Sequence, residues 1–328
     1  MPESAKPRRS ARPVLVTGGA GFIGSHLVER LLADGERVVV IDDLSTGRLE
    51  NLRRVRQHPR LQFRRGKVSE CAGLSQLAAR AASIYHLAAA VGVELVVRSP
   101  IHTIETNLRE TGAILEAASH GPTPILLAST SEVYGKSRKP AFAETDDLLI
   151  GPPHFGRWSY ACSKLMDEFL ALAYGRERGL PVVIARLFNT VGPRQTGRYG
   201  MVLPRFIAAA KAGKPLRVYG DGRQTRCFCH VRDTVEALVR LQNCPSARGE
   251  VVNVGGTREI SIGELARLVV QVLGSPSQIE RVPYRKVYPE GFEDMLRRKP
   301  VVRKLRRLTR FIPGTLLPDI IRAAAQEG

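Results

Sequence analysis

The amino-acid sequence predicts an α/β protein, a Rossmann-type doubly wound parallel sheet with a smaller C-terminal lobe. Three observations carry this expectation. A short apolar strand, Val14-Leu15-Val16, runs directly into Thr17-Gly18-Gly19-Ala20-Gly21-Phe22-Ile23-Gly24 and then a helix-like run from Ser25 to Ala33. A second strand, Val38-Val39-Val40-Ile41, ends on Asp42-Asp43. Beyond it, β-branched or apolar segments alternate with helical ones, the pattern of a parallel sheet covered on both faces.

The later strands are expected at Ile84–Leu87, Ile125–Leu127, Val182–Ala185 and Val251–Val254, and helices at Thr103–Ala118, Tyr160–Tyr174 and Asp233–Leu241. The region from Gly192 onward supplies the smaller lobe. Pro- and Gly-rich stretches at Gly151–Gly156 and Gly192–Gly200 read as loops over the carboxyl edge of the sheet, where ligands bind in such folds. No internal repeat is visible.

At 328 residues, with 43% hydrophobic and 25% charged residues, the chain can bury a large core, and extensive disorder is not expected. Residues 1–12 read as a disordered basic tail. No apolar run is long enough to cross a bilayer, and the start lacks the apolar stretch of a signal peptide, so a cytoplasmic protein is expected. Five scattered cysteines argue against a disulfide framework. Cys227 and Cys229 have no second pair or histidine cluster to complete a metal site, and no metal is expected.

Fifty Lys and Arg against 31 Asp and Glu give a formal charge of +19, which suits an anionic partner. The densest basic stretches, Arg53–Lys67 and Arg297–Arg310, lack the aromatic interleaving of a single-strand stacking platform. They read as solvated faces, and a nucleic acid is not the favoured partner.

Gly18, Gly21 and Gly24 are spaced three apart. Each has a use in a dinucleotide-binding turn: a tight bend, close backbone approach to a pyrophosphate, and close helix packing, with the pyrophosphate at the helix N-terminus. The triplet follows a strand, opens a helix and is trailed after about twenty residues by an acid. Asp42 can accept hydrogen bonds from both adenosine ribose hydroxyls and repels a 2′-phosphate, which favours NAD over NADP.

Tyr160 and Lys164 stand four apart on a predicted helix and share one face. A lysine ammonium, together with a cationic nicotinamide ring, can lower the tyrosine pKa. The phenolate can then remove a hydroxyl proton while hydride leaves the same carbon. Ser129, Thr130 and Ser131 end a strand and can hold that hydroxyl.

With these residues in view, the sequence resembles the extended short-chain dehydrogenase/reductase family of NAD-dependent nucleotide-sugar epimerases, dehydratases and decarboxylases, from Val14 to Pro300. The resemblance is carried by the glycine turn, His86-Leu87-Ala88-Ala89, Asn107, Thr130-Ser131-Glu132-Val133-Tyr134-Gly135, Tyr160-Ala161-Cys162-Ser163-Lys164, Arg186-Leu187-Phe188-Asn189-Thr190-Val191-Gly192-Pro193-Arg194, and Pro215 through Val231. It implies that residues 13–191, completed by 230–256, form the NAD-binding domain, and that 192–229 and 257–328 form the nucleotide-sugar lobe. It further implies cofactor contacts from Phe22, Ile23, Asp43, Val68, Leu87, Ala88, Ala89, Asn107 and Ser129, besides the glycines, Asp42, Tyr160 and Lys164. For the substrate it implies Asn189 and Arg194, a base-packing segment from Leu216 through Val218 to Tyr219, Arg226 on a phosphate or a sugar carboxylate, and Arg298. The family's dimer interface is similar to a helix pair built from Thr103–Ala118 and Tyr160–Tyr174, so a homodimer is expected.

Within the family the informative position is Glu132. Thr130-Ser131-Glu132 looks like the pattern of UDP-glucuronate decarboxylases, and Gln224-Thr225-Arg226-Cys227-Phe228 is similar to their corresponding segment. Oxidation at C4 turns a uronic acid into a β-keto acid, which loses carbon dioxide readily; hydride then returns and the NAD is regenerated. C4 epimerisation and 4,6-dehydration of a UDP-sugar or another nucleotide sugar share the first step and remain open, as does a non-catalytic family member that binds nucleic acid or protein. Three segments depart from the pattern. Lys67 stands where the family usually has an adenine-contacting acid, and Ala90–Pro100 and Gly291–Met295 are unlike the decarboxylases.

Overall fold

The structure is a computed structural model and describes residues 12–91, 99–197, 201–287 and 295–326. The expected basic tail lies outside the described residues except for Arg12, whose guanidinium donates to the carbonyls of Ala79 and Arg80. Most of Ala90–Pro100 and of Gly291–Met295 also lies outside them.

The chain begins as the sequence predicts, with β1 (Val14–Thr17), α1 (Phe22–Ala33) and β2 (Val38–Asp42). Two elements that apolar patterning did not reveal come next, β3 (Leu61–Arg65) and α2 (Leu74–Arg80). Arg64 and Arg65 disguise β3, an edge strand with partly exposed residues. Next are β4 (Ser83–His86), α3 (Pro100–Ser119), β5 (Ile125–Thr130), α4 (Trp158–Arg178) and β6 (Val182–Leu187). Each expected strand and helix in this stretch is present; β4 is shifted one residue towards the N-terminus, leaving Leu87 outside it, and the others are longer than their apolar signatures at one end or both.

The chain then leaves the sheet through β7 (Thr190–Val191), α5 (Val202–Lys211), β8 (Leu216–Tyr219), β9 (Thr225–Cys227) and β10 (Cys229–His230). It returns through α6 (Val231–Gln242) and β11 (Val251–Val254). The last part is β12 (Glu259–Ser261), α7 (Ile262–Leu273), β13 (Ile279–Val282), β14 (Arg297–Arg298), α8 (Arg303–Thr309) and α9 (Leu317–Gln326). Ser261 opens α7 with a capping box: its hydroxyl accepts from Glu264 N, and the Glu264 carboxylate accepts from Ser261 N.

The central sheet has the order β11-β6-β5-β4-β1-β2-β3, and its strand pairings are parallel. Side chains alternate across it. Val14, Val16, Val38, Val40, Leu126 and Val183 face one core with Leu27, Val28 and Leu238 of α1 and α6. Leu15, Val39, Ile41, Ile84, Ile125 and Ile184 face the other with Ile114, Leu115 and Ala171 of α3 and α4. Burial on both faces explains why these strands read as unbroken apolar runs. The strand order reverses between β1 and β4, so the turns after these two strands border the crevice at the sheet's carboxyl edge.

The lobe has its own core, including Leu203, Phe206, Leu216, Val218, Leu265, Val269 and Ile320. The segment 257–328 is not all lobe, contrary to the sequence expectation. Val302 and Leu305 at α8 join the core shared by the sheet and α6, whereas Ile320 and Ile321 of α9 join the lobe core. The division follows where each apolar face finds cover.

Candidate active site

A cavity of about 540 Å³ lies between the sheet's carboxyl edge and the lobe. Its cofactor end is shaped by the glycine turn. Gly18 has φ +72, and a Cβ there would lie 2.7 Å from Ala88 N. A Cβ on Gly24 would come within 2.1 Å of Gly18 O. Gly18 therefore lets the turn pass under the strand beside it, and Gly24 lets α1 start against the turn. A Cβ on Gly21 would meet only Gly18 O, at 3.1 Å, and Gly21 lines the cavity as the N-cap of α1. No side chain caps this helix and its first turn holds no acid, so the amides of Phe22, Ile23 and Gly24 suit a diphosphate.

Asp42 ends β2 at the rim of the same turn. Its Oδ2 accepts from Ala20 N and its Oδ1 from Leu44 N, both at 2.8 Å. Burial pushes its carboxyl up from the ordinary value, against these backbone hydrogen bonds. The residue faces the cavity, where its carboxylate can meet a ribose diol. Asp43 also lines the cavity while its carboxylate accepts from Ser45. Lys67 and Val68 line the outer end, with Lys67 bonded to Glu70 at 3.0 Å. Leu87, Ala88 and Ala89 form the opposite wall. Asn107 does not reach the cavity. It is buried behind that wall, accepting from Ala90 N at 2.8 Å and donating to Ser163 Oγ at 3.0 Å.

At the inner end, α4 brings Tyr160 and Lys164 to the cavity, β5 brings Ser129 and Thr130, and the 3-10 turn that follows it, Ser131–Tyr134, brings Ser131 and Glu132. Tyr160 hydrogen-bonds Thr130, which lowers its pKa, but burial and the Glu132 charge outweigh that and hold the phenol above its ordinary range. The Lys164 ammonium pairs with Asp167 at 2.8 Å. Ser129 Oγ donates to Glu168, 2.5 Å away, which also forms a buried ion pair with Arg186.

Glu132 sits in a cage of guanidinium groups. Arg298 Nη2 lies 3.0 Å from one carboxylate oxygen and Arg157 Nη1 3.6 Å from the other. Burial alone would raise the Glu132 pKa. The charges of Arg298, Arg157 and Arg226 overcome it and hold the carboxyl at about 2. Arg226 is fixed by donating to the carbonyls of Thr225 and Met295, each at 2.8 Å. Arg157 escaped the sequence analysis. Its position three residues before Tyr160, at the N-cap of α4, was the available signal.

Asn189 and Tyr219 line the lobe side of the cavity, where the Arg205 guanidinium stacks 4.1 Å from the Tyr219 ring centre. Two expected groups are misplaced by the sequence reading. Leu216 and Val218 point into the lobe core, and the alternate residues Arg217 and Tyr219 of β8 face the cavity, because only one side of the strand is covered. Arg194 does not line the cavity. It pairs with Glu29 of α1 at 2.6 Å, and the neighbouring Pro193 carbonyl meets His26 Nε2 at 3.0 Å. Cys227 and Cys229 are buried, which pushes both thiols up to about 12.

The parallel sheet, the glycine turn with its acid, and a Tyr and Lys pair facing Thr130 define a short-chain dehydrogenase/reductase of the epimerase and dehydratase type. The GDP-mannose 4,6 dehydratase family profile matches residues 15–313. The chain belongs to this family. The UDP-N-acetyl-α-D-glucosaminuronate decarboxylase of Bacillus cytotoxicus is 43% identical over 302 residues, 92% of each chain. UDP-glucuronic acid decarboxylase 1 of Xenopus tropicalis is 37% identical over 316 residues, 95% of this chain and 70% of that one. Among solved structures, the UDP-glucuronic acid 4-epimerase of Bacillus cereus, in complex with UDP-glucuronic acid and NAD, is similar with a TM-score of 0.85 at 29% identity, covering 96% of this chain and 98% of that one. Among the described residues, no helix is long and apolar enough to cross a membrane.

Proposed function

We propose that this enzyme binds NAD and decarboxylates a UDP-linked uronic acid, UDP-glucuronate or its 2-acetamido counterpart. One observation carries the substrate class: among the described residues, three arginines surround a single carboxylate beside Tyr160. Such a pocket favours a further carboxylate, and Arg298 Nε is buried there with no hydrogen-bond partner among the described residues. The two relatives differ in the substituent at C2, so both donors belong in the assay.

Bound NAD would accept the C4 hydride and later return it. Thr130 and Ser131 hold the C4 hydroxyl, and Tyr160 takes its proton. The arginines orient the C6 carboxylate while the C4 carbonyl receives the electrons of the breaking C5–C6 bond as an enolate. Carbon dioxide leaves, C5 takes a proton from solvent, and Tyr160 gives its proton back to the C4 oxygen. Asn189 on the diphosphate and Tyr219 beside the base would hold the rest of the donor.

The test is incubation with UDP-glucuronate and with UDP-N-acetylglucosaminuronate, reading product mass and carbon dioxide. The expected product is 44 mass units lighter, the mass of carbon dioxide, with no net use of NAD. A C4 epimer of unchanged mass, or a 4-keto-6-deoxy sugar from a neutral hexose donor, would overturn the proposal.

The protein is also proposed to be a homodimer through α3 and α4. Ile101, Ile104, Met166 and Phe169 are exposed large apolar side chains on this helix pair, Ile101 at 73% and Phe169 at 59%. Sedimentation should give twice the chain mass.

A further inference from the structure

Lys164 is almost fully buried, and so is the Asp167 carboxylate that pairs with it at 2.8 Å. An ammonium removed from water without a counter-charge is heavily penalised, so the lysine's placement depends on what holds Asp167. On its own helix Asp167 meets Lys164 and Glu168. From α3 the Thr111 hydroxyl interacts favourably with the same carboxylate, although Oδ1 completes no hydrogen bond of good geometry among the described residues. Thr111 Oγ1 lies 3.2 Å from His86 Nε2, and His86 Nδ1 lies 2.8 Å from Thr17 Oγ1. Thr17 immediately precedes the glycine turn, and its hydroxyl accepts from Ala88 N at 3.3 Å.

All of these side chains are buried. Burial, with the Lys164 charge adding to it, holds the His86 imidazole at about 3. It is therefore neutral at working pH and acts as a fixed link rather than a switch. A row of polar groups thus connects Lys164 with the strands that carry the cofactor turn and its facing wall.

Resting on the NAD-dependent reading above, we infer that Asp167 is a positioning residue of the catalytic apparatus. Its carboxylate, braced through Thr111, His86 and Thr17, holds the Lys164 ammonium in register with the cofactor site. Asp167 also faces Tyr160 electrostatically, together with Glu132 and Arg298, and its negative charge opposes ionisation of the phenol.

The experiment is a double-mutant cycle on NAD affinity with Asp167→Asn, Lys164→Met and the double variant, joined by a pH profile of kcat for Asp167→Asn. Asp167→Asn should weaken NAD binding about tenfold, and the double variant should bind NAD within about twofold of Lys164→Met alone, since residues acting through one contact are not additive. The acid limb of kcat should move to lower pH. Additive losses in the cycle, or an acid limb that stays or moves up, would overturn the inference. If Asp167→Asn does not fold, the double variant still decides. Removing both partners leaves no lone buried charge, so a double variant that folds and binds NAD like Lys164→Met supports the pairing, and one that also fails to fold overturns it. Failure of the underlying reading would look different, because the unaltered protein would then not bind NAD.

Discussion

Glu132→Gln keeps the shape of the side chain and removes only its charge from among three arginines. At about 1.36 kcal/mol per pH unit, a fall in pKa from 4.5 to about 2 corresponds to about 3 kcal/mol of preference for the ionised carboxylate. The side chain is only 13% exposed, so solvent screens little of this. The folded-state pKa is depressed, so the stabilisation is complete above the unfolded value of 4.5 and is lost as pH falls through about 2. The variant should be less stable by about 3 kcal/mol at neutral pH, and the gap should narrow by about 1 kcal/mol on going from pH 6 to 3.5. Urea unfolding followed through Trp158, the one tryptophan and a buried one, measures both. A neutral-pH difference below about 1 kcal/mol, or one that ignores acidification, would refute the cage as described. In the same variant, carbon dioxide release should fall on the order of 100-fold with NAD binding intact.

Tyr160→Phe should lower turnover by about a thousandfold while NAD and UDP-sugar titrations stay within about twofold of the unaltered protein. NAD should bind more tightly than NADP, because the Asp42 carboxylate faces the ribose end of the cavity, and competitive titration of the two nucleotides decides it. Leu216→Ala should cost about 2 to 5 kcal/mol of stability in thermal or urea unfolding, as a core truncation does, with substrate KM little changed. Tyr219→Ala should do the reverse, raising KM with a smaller loss of stability.

The cofactor half of the molecule was legible because its signals are local. Strands buried on both faces read as apolar runs, and Gly18 and Gly24 are required by backbone contacts a few residues away or across one strand. Asp42 followed from its distance behind the glycine turn, and the spacing of Tyr160 and Lys164 gained its meaning only beside that turn. The lobe was harder to read. Two apolar residues in Leu216–Tyr219 mark a half-covered strand, but nothing local says which face meets the ligand, and here the apolar face is the core. Arg194 carries a charge that suits a phosphate, yet the fold gives it Glu29 of α1 as a partner, a contact between residues 165 apart in sequence. Arg157, Arg226 and Arg298 come from three separate parts of the chain. Their convergence on Glu132 appears only when the fold brings the N-terminus of α4 against β9 and β14.

That convergence bears on which of the three reactions the pocket serves. Dehydration needs a base for the C5 proton, and a useful base has a pKa near the working pH. Held at about 2 by the arginines, Glu132 is a poor acceptor of protons in neutral solution. Epimerisation needs the keto sugar to turn over within the site, and guanidinium groups that hold a C6 carboxylate, as proposed above, would resist that rotation. Decarboxylation requires neither, since the electrons that form the enolate come from the C5–C6 bond itself. The role left to Glu132 is that of a fixed anion. It keeps three like charges together in one small pocket, and by occupying part of their hydrogen-bonding capacity it limits how firmly they grip a carboxylate that must leave as carbon dioxide.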